Sequence, residues 1–151
     1  FHTADTGALF WAELNTWDGV RADVFYATLF GYHQQQIGDC RDMDYAIWSR
    51  DEQPMLGRLQ INEDWAPPDS PAHWMLHFVV DPRTGTDAAV NRVHELGGWV
   101  EADPYDSPLG RIARVVDTSG AAFALIDPTV RLEPIPDFGL DSAGVDDPYD
   151  D

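Results

Sequence analysis

Hydrophobic and polar residues alternate over a short segment near the start of the chain, between Leu9 and Asn15. A period of two predicts a β-strand that packs one of its faces against a core. The opposite face carries Trp11 and Glu13. The residues that we expect to face the core are Phe10, Ala12 and Leu14.

The segment that follows, VRADVFYATLF, has apolar residues at a spacing near 3.6, which predicts an amphipathic helix. Asp18 can cap its first turn, and Gly31 can take the left-handed conformation that ends a helix. Three further segments, YHQQQIG, DYAIWS and MLGRLQI, have the length and turn residues typical of strands. The first half is therefore predicted to be β-α-β-β-β. The apolar residues that give the helix its spacing are Val20, Val24, Phe25, Ala27 and Leu29.

The same order of elements returns after the proline-rich segment DWAPPDSP. HWMLHFVV again alternates, with Trp74, Leu76 and Phe78 on the face expected to pack against the helix. A helix from about Thr86 is expected to end at Gly97, before strands near WVEA, RIARVVD and AAFALID. The internal repeat predicts the α+β class, with two tandem βαβββ modules.

The module boundaries follow from this repeat. We place the first module at residues 8–63, a linker at 64–72 and the second module at 73–130, which together form one domain at 8–130. Residues 131–151 are an acidic tail that we expect to be flexible. Superposing Leu14 on Phe78 pairs Trp11 with Met75 and Glu13 with His77.

Charge and composition narrow the range of partners. The chain of 151 residues has 27 acidic residues against nine arginines, no lysine and a formal net charge of −18, which opposes binding to nucleic acid. Neutral or cationic small molecules are the expected partners. No apolar run approaches the length needed to cross a bilayer, and Cys40 is the only cysteine, so we expect a soluble, cytoplasmic protein.

The segments WAELNTWD, FYATLFGY, HFVVD, ELGGWV and SPLGRIARVVDTSGAAFALIDP together resemble the vicinal oxygen chelate superfamily. This group contains glyoxalases, bleomycin-resistance proteins and extradiol dioxygenases, and the resemblance extends from about Leu9 to Pro128. It is greatest to the actinobacterial glyoxalase-like type that is sometimes labelled a hydroxylase. The resemblance implies two βαβββ modules whose sheets curve round a shared cleft.

The resemblance also implies where metal-using members hold their ion. The first strand of each module supplies a ligand at the positions of Trp11 and Met75, and the last strand supplies a glutamate at the position of Ala124. Indole and methyl groups do not bind divalent cations, and a thioether suits hard metals poorly. We therefore expect no metal and no cofactor.

Glu13 and His77 are the polar candidates that remain, and three interpretations of them are open. They can complete a metal site with help from elsewhere, or form hydrogen bonds across the sheets. In the interpretation that we prefer, they recognise a bound molecule, because a carboxylate and an imidazole offer charge and hydrogen bonds.

Two tryptophans and one arginine extend the candidate ligand site. Trp11 and Trp48 have flat faces on which planar or cationic molecules can stack. Arg111 can anchor a ligand anion, although pairing with a surface carboxylate is the more frequent use of such an arginine.

The leading hypothesis is metal-independent binding of a small, aromatic or cationic molecule by a homodimer, for antibiotic sequestration or natural-product handling. The alternative is a metal-dependent lyase, isomerase or dioxygenase of the same superfamily, in which Glu13 or His77 supplies acid-base chemistry or incomplete metal ligation.

Overall fold

The computed structural model describes residues 5–37 and 43–131. The order β-α-β-β-β occurs twice in these residues, so the predicted α+β class and the two βαβββ modules are confirmed. Cys40 and the acidic tail beyond Arg131 lie outside the described residues. The first five elements are β1 (Leu9–Thr16), α1 (Gly19–Phe30), β2 (His33–Ile37), β3 (Tyr45–Arg50) and β4 (Gln53–Gln60). The second five are β5 (His73–Val79), α2 (Gly85–Glu95), β6 (Trp99–Asp106), β7 (Arg111–Val116) and β8 (Ala122–Asp127).

The described residues group into two compact units. The first unit is Ala12–Met75, and the second consists of residues 5–11 and 76–131. In the first unit β1 pairs in parallel with β4, and β4 and β2 both pair with β3 in antiparallel fashion. In the second unit β5 pairs in parallel with β8, and β7 lies antiparallel between β8 and β6. The predicted single domain at 8–130 stays a prediction.

Both predicted ends of α1 are confirmed. The Asp18 carboxylate accepts a hydrogen bond from the backbone N–H of Arg21 at 3.1 Å, which satisfies one of the donors left open in the first turn. Gly31 has φ 76° and donates its backbone N–H to the carbonyl of Ala27 at 2.8 Å. A residue without a Cβ adopts this conformation without steric cost.

The orientation of α1 differs from the expectation of an apolar face packed on the sheet. The helix buries Gly19 and Asp23 instead, because Asp23 binds an arginine of β4. Apolar spacing alone does not reveal that the inward position is held by an ion pair. Four of the apolar side chains whose spacing predicts the helix are exposed, namely Val20 (70%), Val24 (63%), Phe25 (59%) and Leu29 (58%).

The buried face of β5 is also the reverse of the predicted one. Met75 and His77 are each 1% exposed, whereas Trp74 is 43% and Leu76 is 40% exposed. The ring of Trp74 does contact α1, at 5.8 Å from the ring of Tyr26 in an edge arrangement. Trp74 therefore lies on the predicted helix side of β5, but it is exposed there and not buried in a core.

The core of the second unit defines which side of its sheet faces the helix. Val90 of α2 packs against Ala113 and Val115 of β7. Successive side chains of a strand point to opposite faces, so Ile112 and Arg114 lie on the face away from α2. The half-buried residues that complete this core are Val93, Val100, Phe123 and Leu125. No helix in residues 5–37 or 43–131 is long and apolar enough to span a membrane.

Candidate functional site

Glu13 is buried in the first unit and is held by a neighbour on its own strand. Its side chain is 4% exposed, and the Nδ2 atom of Asn15 donates a hydrogen bond to its Oε2 atom at 3.0 Å. Burial of a carboxylate without hydrogen-bond donors is costly, so the Asn15 amide helps to keep the group in place.

The register of the first unit shows which surface Glu13 occupies. Leu14 pairs with Arg58, and Arg58 binds Asp23 of α1, so the even-numbered residues of this strand pair face the helix. Glu13 therefore lies on the sheet face away from α1. It is opposite Gly57, which has no side chain, and the next strand contributes Ile47 to this row. The carboxylate thus lies next to a strand position that has no side chain, and the following strand has an apolar side chain in the same row.

A second polar row crosses the second unit, on the face away from α2. His77 pairs with Ala124, and Ala124 pairs with Arg114 on the following strand. His77 and Ala124 are fully buried, and Arg114 is half-buried. The adjacent row on the same face is apolar throughout, and consists of Val79, Ile126 and Ile112.

Arg114 was not among the site residues predicted from the sequence, although the sequence contains a signal for its position. In the strand RIARVV, Ala113 and Val115 pack against α2, so the arginine between them must lie on the opposite face. Knowledge of the helix side of β7 would have placed Arg114 beside the position at which metal-using relatives carry a glutamate. The residues predicted for the site, Glu13 and His77, belong to different units.

Trp48, which was predicted to stack on a ligand, is buried on the helix side of the first unit. Its indole Nε1 atom donates to the Oδ1 atom of Asp23 at 2.7 Å. Two tyrosine rings pack on it, Tyr26 at 4.9 Å and Tyr32 at 5.9 Å between ring centroids. Trp48 and Glu13 therefore lie on opposite faces of the sheet, and packing accounts for Trp48.

Arg111, the predicted anion anchor, is paired with two carboxylates. Its Nε atom donates to Asp87 at 2.7 Å, and its Nη1 atom donates to Asp106 at 2.9 Å. These hydrogen bonds raise the pKa of Arg111 further above its ordinary range and lower the pKa of Asp87. The structure thus shows the alternative use, in which Arg111 ties α2 to the sheet.

Arg58 is the centre of a network of charged side chains under α1. Arg58 donates to Asp23 through its Nη2 atom at 2.6 Å and to the Asp44 carboxylate through its Nη1 atom at 2.8 Å. Burial favours the neutral form of Asp44, but the hydrogen bonds from Arg58 and Gln36 outweigh burial and lower its pKa. The network fixes α1 on the sheet.

The side chains present do not fit the metal ion of the wider family. Trp11, Met75 and Ala124 stand at the expected ligand positions and are fully buried, yet none offers a donor suited to a hard divalent cation. Within residues 5–37 and 43–131, no group of three or more His, Cys, Asp or Glu residues is placed to hold a metal.

A scan against models of known protein families gives no match. The chain is 32% identical over 125 residues to the anthracycline biosynthesis protein DauV of a Streptomyces species, which is 83% of this chain and 43% of DauV. It is 30% identical over 125 residues to CFP32 of Mycobacterium bovis, provisionally named a glyoxylase, which is 82% of this chain and 45% of CFP32. The chain thus spans less than half of the length of these curated relatives.

The fold also matches solved structures. A variant of methylmalonyl-CoA epimerase from Streptomyces coelicolor superposes with a TM-score of 0.57, at 18% identity, over 86% of this chain and 100% of the epimerase. At this level of identity the similarity shows the fold alone, which is that of the glyoxalase-like proteins.

Proposed function

The chain belongs to the vicinal oxygen chelate superfamily, and on this premise we propose that it binds a small, aromatic or cationic molecule without a metal ion. The observation that carries the proposal is the buried carboxylate of Glu13, held by Asn15 on the face away from α1. In a buried site from which water is excluded, a carboxylate attracts a hydrogen-bond donor or a cation more strongly than it does at an exposed surface.

The surroundings of Glu13 support a flat organic ligand. Gly57 adds no side chain beside the carboxylate, and Ile47 adds an apolar one beyond it. Pockets for small molecules are mostly apolar and contain a few placed polar groups that orient the ligand. In this proposal Glu13 supplies a hydrogen bond to the ligand, and Ile47 supplies an apolar contact.

The relatives favour an aromatic natural product as the ligand. DauV and DnrV, the latter from Streptomyces peucetius, are both named anthracycline biosynthesis proteins. Each is related to this chain at 32% identity, over less than half of its own length. We propose that this chain likewise handles or sequesters a planar natural product.

The experiment is a titration of the six tryptophans by fluorescence quenching, with a panel of planar aromatic, cationic and quinone compounds. We expect saturable quenching by at least one compound. Glu13→Gln should weaken that binding by about tenfold to a hundredfold, the loss expected for one charge-assisted hydrogen bond. Glu95→Gln removes a charge from an exposed carboxylate of α2 and serves as the matched control.

Two results would contradict the proposal. If the Glu13→Gln variant binds a compound as tightly as the wild type does, Glu13 has a structural role and does not contact the ligand. Elemental analysis of protein purified without chelator should find no stoichiometric metal, and a metal lost on Glu13→Gln or His77→Gln substitution would favour the metal-dependent enzyme instead.

We also propose that the protein is a homodimer, joined through the outer face of α1. Four large apolar side chains are exposed there, and a contiguous apolar patch on a protein surface generally marks an interface. The few charges on this face make a second copy of the chain the partner that we propose for it. The chain has a net charge of −18, but Arg21 is the only charged residue on the exposed side of α1, because Asp23 is buried.

A further inference from the structure

The outer strands of the two units differ in how well their edges are protected against pairing with a further strand. β6 is the outer strand of the second unit. It carries the exposed charged residues Glu101 and Asp103, it contains Pro104, and its register with β7 shifts twice. Charges, proline and irregular register are the features by which natural proteins prevent a sheet edge from binding another strand. The edge of β6 is therefore protected.

β2, the outer strand of the first unit, has none of these features. Its five residues, HQQQI, include no carboxylate, lysine, arginine or proline. They pair with β3 without a register shift, from His33 opposite Ser49 to Ile37 opposite Tyr45. Every second residue of an outer strand directs its backbone N–H and C=O groups away from the sheet. No strand within residues 5–37 or 43–131 pairs with this outer side of β2.

We propose that β2 pairs in antiparallel orientation with β2 of a second copy, so that the sheets of the two first units become continuous. The inference rests on the proposed homodimer and names the strand that joins its two copies. An outer strand is complementary to an identical one, because antiparallel pairing about a two-fold axis brings each N–H of one copy to a C=O of the other. The pairing closes with two chains.

Charge favours a second copy at this edge. Each chain has a formal net charge of −18, so two copies repel each other at most of their surfaces. β2 itself is formally neutral and its first four residues are exposed. Like charges directly opposite each other on paired strands are destabilising. Two β2 strands can therefore pair without placing carboxylates of one strand against those of the other.

The position of α1 agrees with the same two-fold axis. The helix contacts β2 and is connected to it by Gly31 and Tyr32 alone. An axis perpendicular to the joined sheet places both copies of α1 on the same side of that sheet. The exposed apolar side chains of one α1, which include Val24 and Phe25, are then near those of the other copy. Pairing of β2 and contact between the helices thus belong to one interface.

Hydrogen exchange measured by NMR tests the pairing directly. A strand that is paired on one side has protected amides at alternate residues, whereas a strand paired on both sides has them at consecutive residues. At a concentration at which light scattering shows a dimer, we expect slow exchange of the consecutive amides of Gln34, Gln35 and Gln36. On dilution to the monomer, alternate amides should lose this protection.

A charged variant tests the same strand through the affinity of the two copies. His33→Glu together with Gln35→Glu adds two carboxylates per copy at exposed positions of β2. The dissociation constant of the dimer should rise at least about tenfold, and about 1 M salt should restore part of the affinity by screening. Asn91→Glu together with Thr118→Glu adds the same charge at exposed positions of the second unit, and should leave the dissociation constant unchanged.

The outcomes separate this inference from the proposed homodimer. A dimer in which only alternate amides of β2 are protected overturns the inference and leaves the dimer through α1 in place. A monomeric wild-type protein overturns both, and leaves ligand binding at Glu13 to its own test. Consecutive protection in a monomer would mean that another segment of the same chain covers β2, which also overturns the inference. The exchange measurement uses the wild-type protein, so it decides even if the charged variant fails to fold.

Discussion

Arg58 donates two hydrogen bonds to the Asp23 carboxylate beneath α1. Its Nη2 atom lies 2.6 Å from Oδ2 and its Nε atom lies 3.1 Å from Oδ1, and both side chains are buried. The same carboxylate accepts the indole N–H of Trp48. One carboxylate thus connects the helix to two strands of the first unit, and its removal takes the acceptor from three buried N–H groups at once.

Asp23→Ala should lower the free energy of unfolding by about 3–5 kcal/mol, the usual cost of breaking a buried ion pair from one side. Urea unfolding followed by circular dichroism measures this change. Asp87→Ala breaks the exposed pair with Arg111 and is the matched control, with a much smaller expected loss because solvent screens exposed pairs. A similar small loss for Asp23→Ala would show that the buried pair does not hold α1.

Gly19→Ala should destabilise the protein, although alanine generally favours a helix over glycine. A Cβ atom at this position would lie 2.7 Å from the Cζ atom of Arg58, whose guanidinium is fixed by Asp23 and Asp44. We expect a loss of about 1–3 kcal/mol, as for other overpacked positions. The loss should shrink when the same substitution is made in an Arg58→Met background. Equal losses in both backgrounds would exclude the clash as the cause.

The elements of this fold could be predicted from the sequence because their signals are local. The strand predicted between Leu9 and Asn15, the cap at Asp18 and the stop at Gly31 each depend on residues close in the chain, and the structure confirms all three. Both faces of that strand are buried, however, and not one face alone. The order of the two modules follows from these same short-range signals.

The contacts that decide which faces are buried could not be predicted in this way. Asp23 has the position of a surface residue in an amphipathic helix, and its partner Arg58 is on β4, which follows two other strands in the chain. The row formed by His77, Ala124 and Arg114 likewise depends on strand register. No pattern within β5 or β7 alone reveals that both residues pair with Ala124.

The stability contributed by Asp44 should depend on pH. Its pKa in the folded protein is below the ordinary value of about 3.9, because the hydrogen bonds from Arg58 and Gln36 outweigh the effect of burial. A lowered pKa adds stability above the unfolded value, and this stability is lost as the pH falls through the folded pKa. Asp44→Asn should therefore be less stable than the wild type at pH 7, and the difference should shrink below about pH 4. Urea unfolding at several pH values tests this, and a difference that stays constant down to pH 2 would contradict it.

Two substitutions of Glu13 separate the effect of its charge on stability from the effect of its hydrogen-bond acceptor. Glu13→Gln keeps an oxygen that can accept from Asn15, so the melting temperature should change little. Glu13→Leu removes that acceptor and leaves the Asn15 amide without its 3.0 Å partner, which should cost about 1–3 kcal/mol. Thermal unfolding of the two variants decides. Equal stability of both would show that the Asn15 contact contributes nothing.

The proposed dimer can be tested on the outer face of α1. Phe25→Asp together with Leu29→Asp should convert a dimer into a monomer, since both side chains are more than half exposed and would carry charge into the interface. Light scattering at micromolar concentration measures the change in mass. Leu96→Asp alters an equally exposed leucine after α2 and should leave the dimer intact. A monomeric wild-type protein would contradict the proposal.

In each unit the parallel partner of the first strand is the last strand, and this arrangement sets the order in which a newly made chain can fold. Glu13 meets Gly57, and His77 meets Ala124, so each parallel pair joins residues more than 40 positions apart. During synthesis β1 must wait until β4 has left the ribosome, with its backbone donors and acceptors open meanwhile. Domains of a nascent chain generally fold as units from the N-terminal end, and contacts distant in sequence form slowly. The hairpin of β3 and β4 can form as soon as it emerges, and it then offers β1 the edge on which it docks.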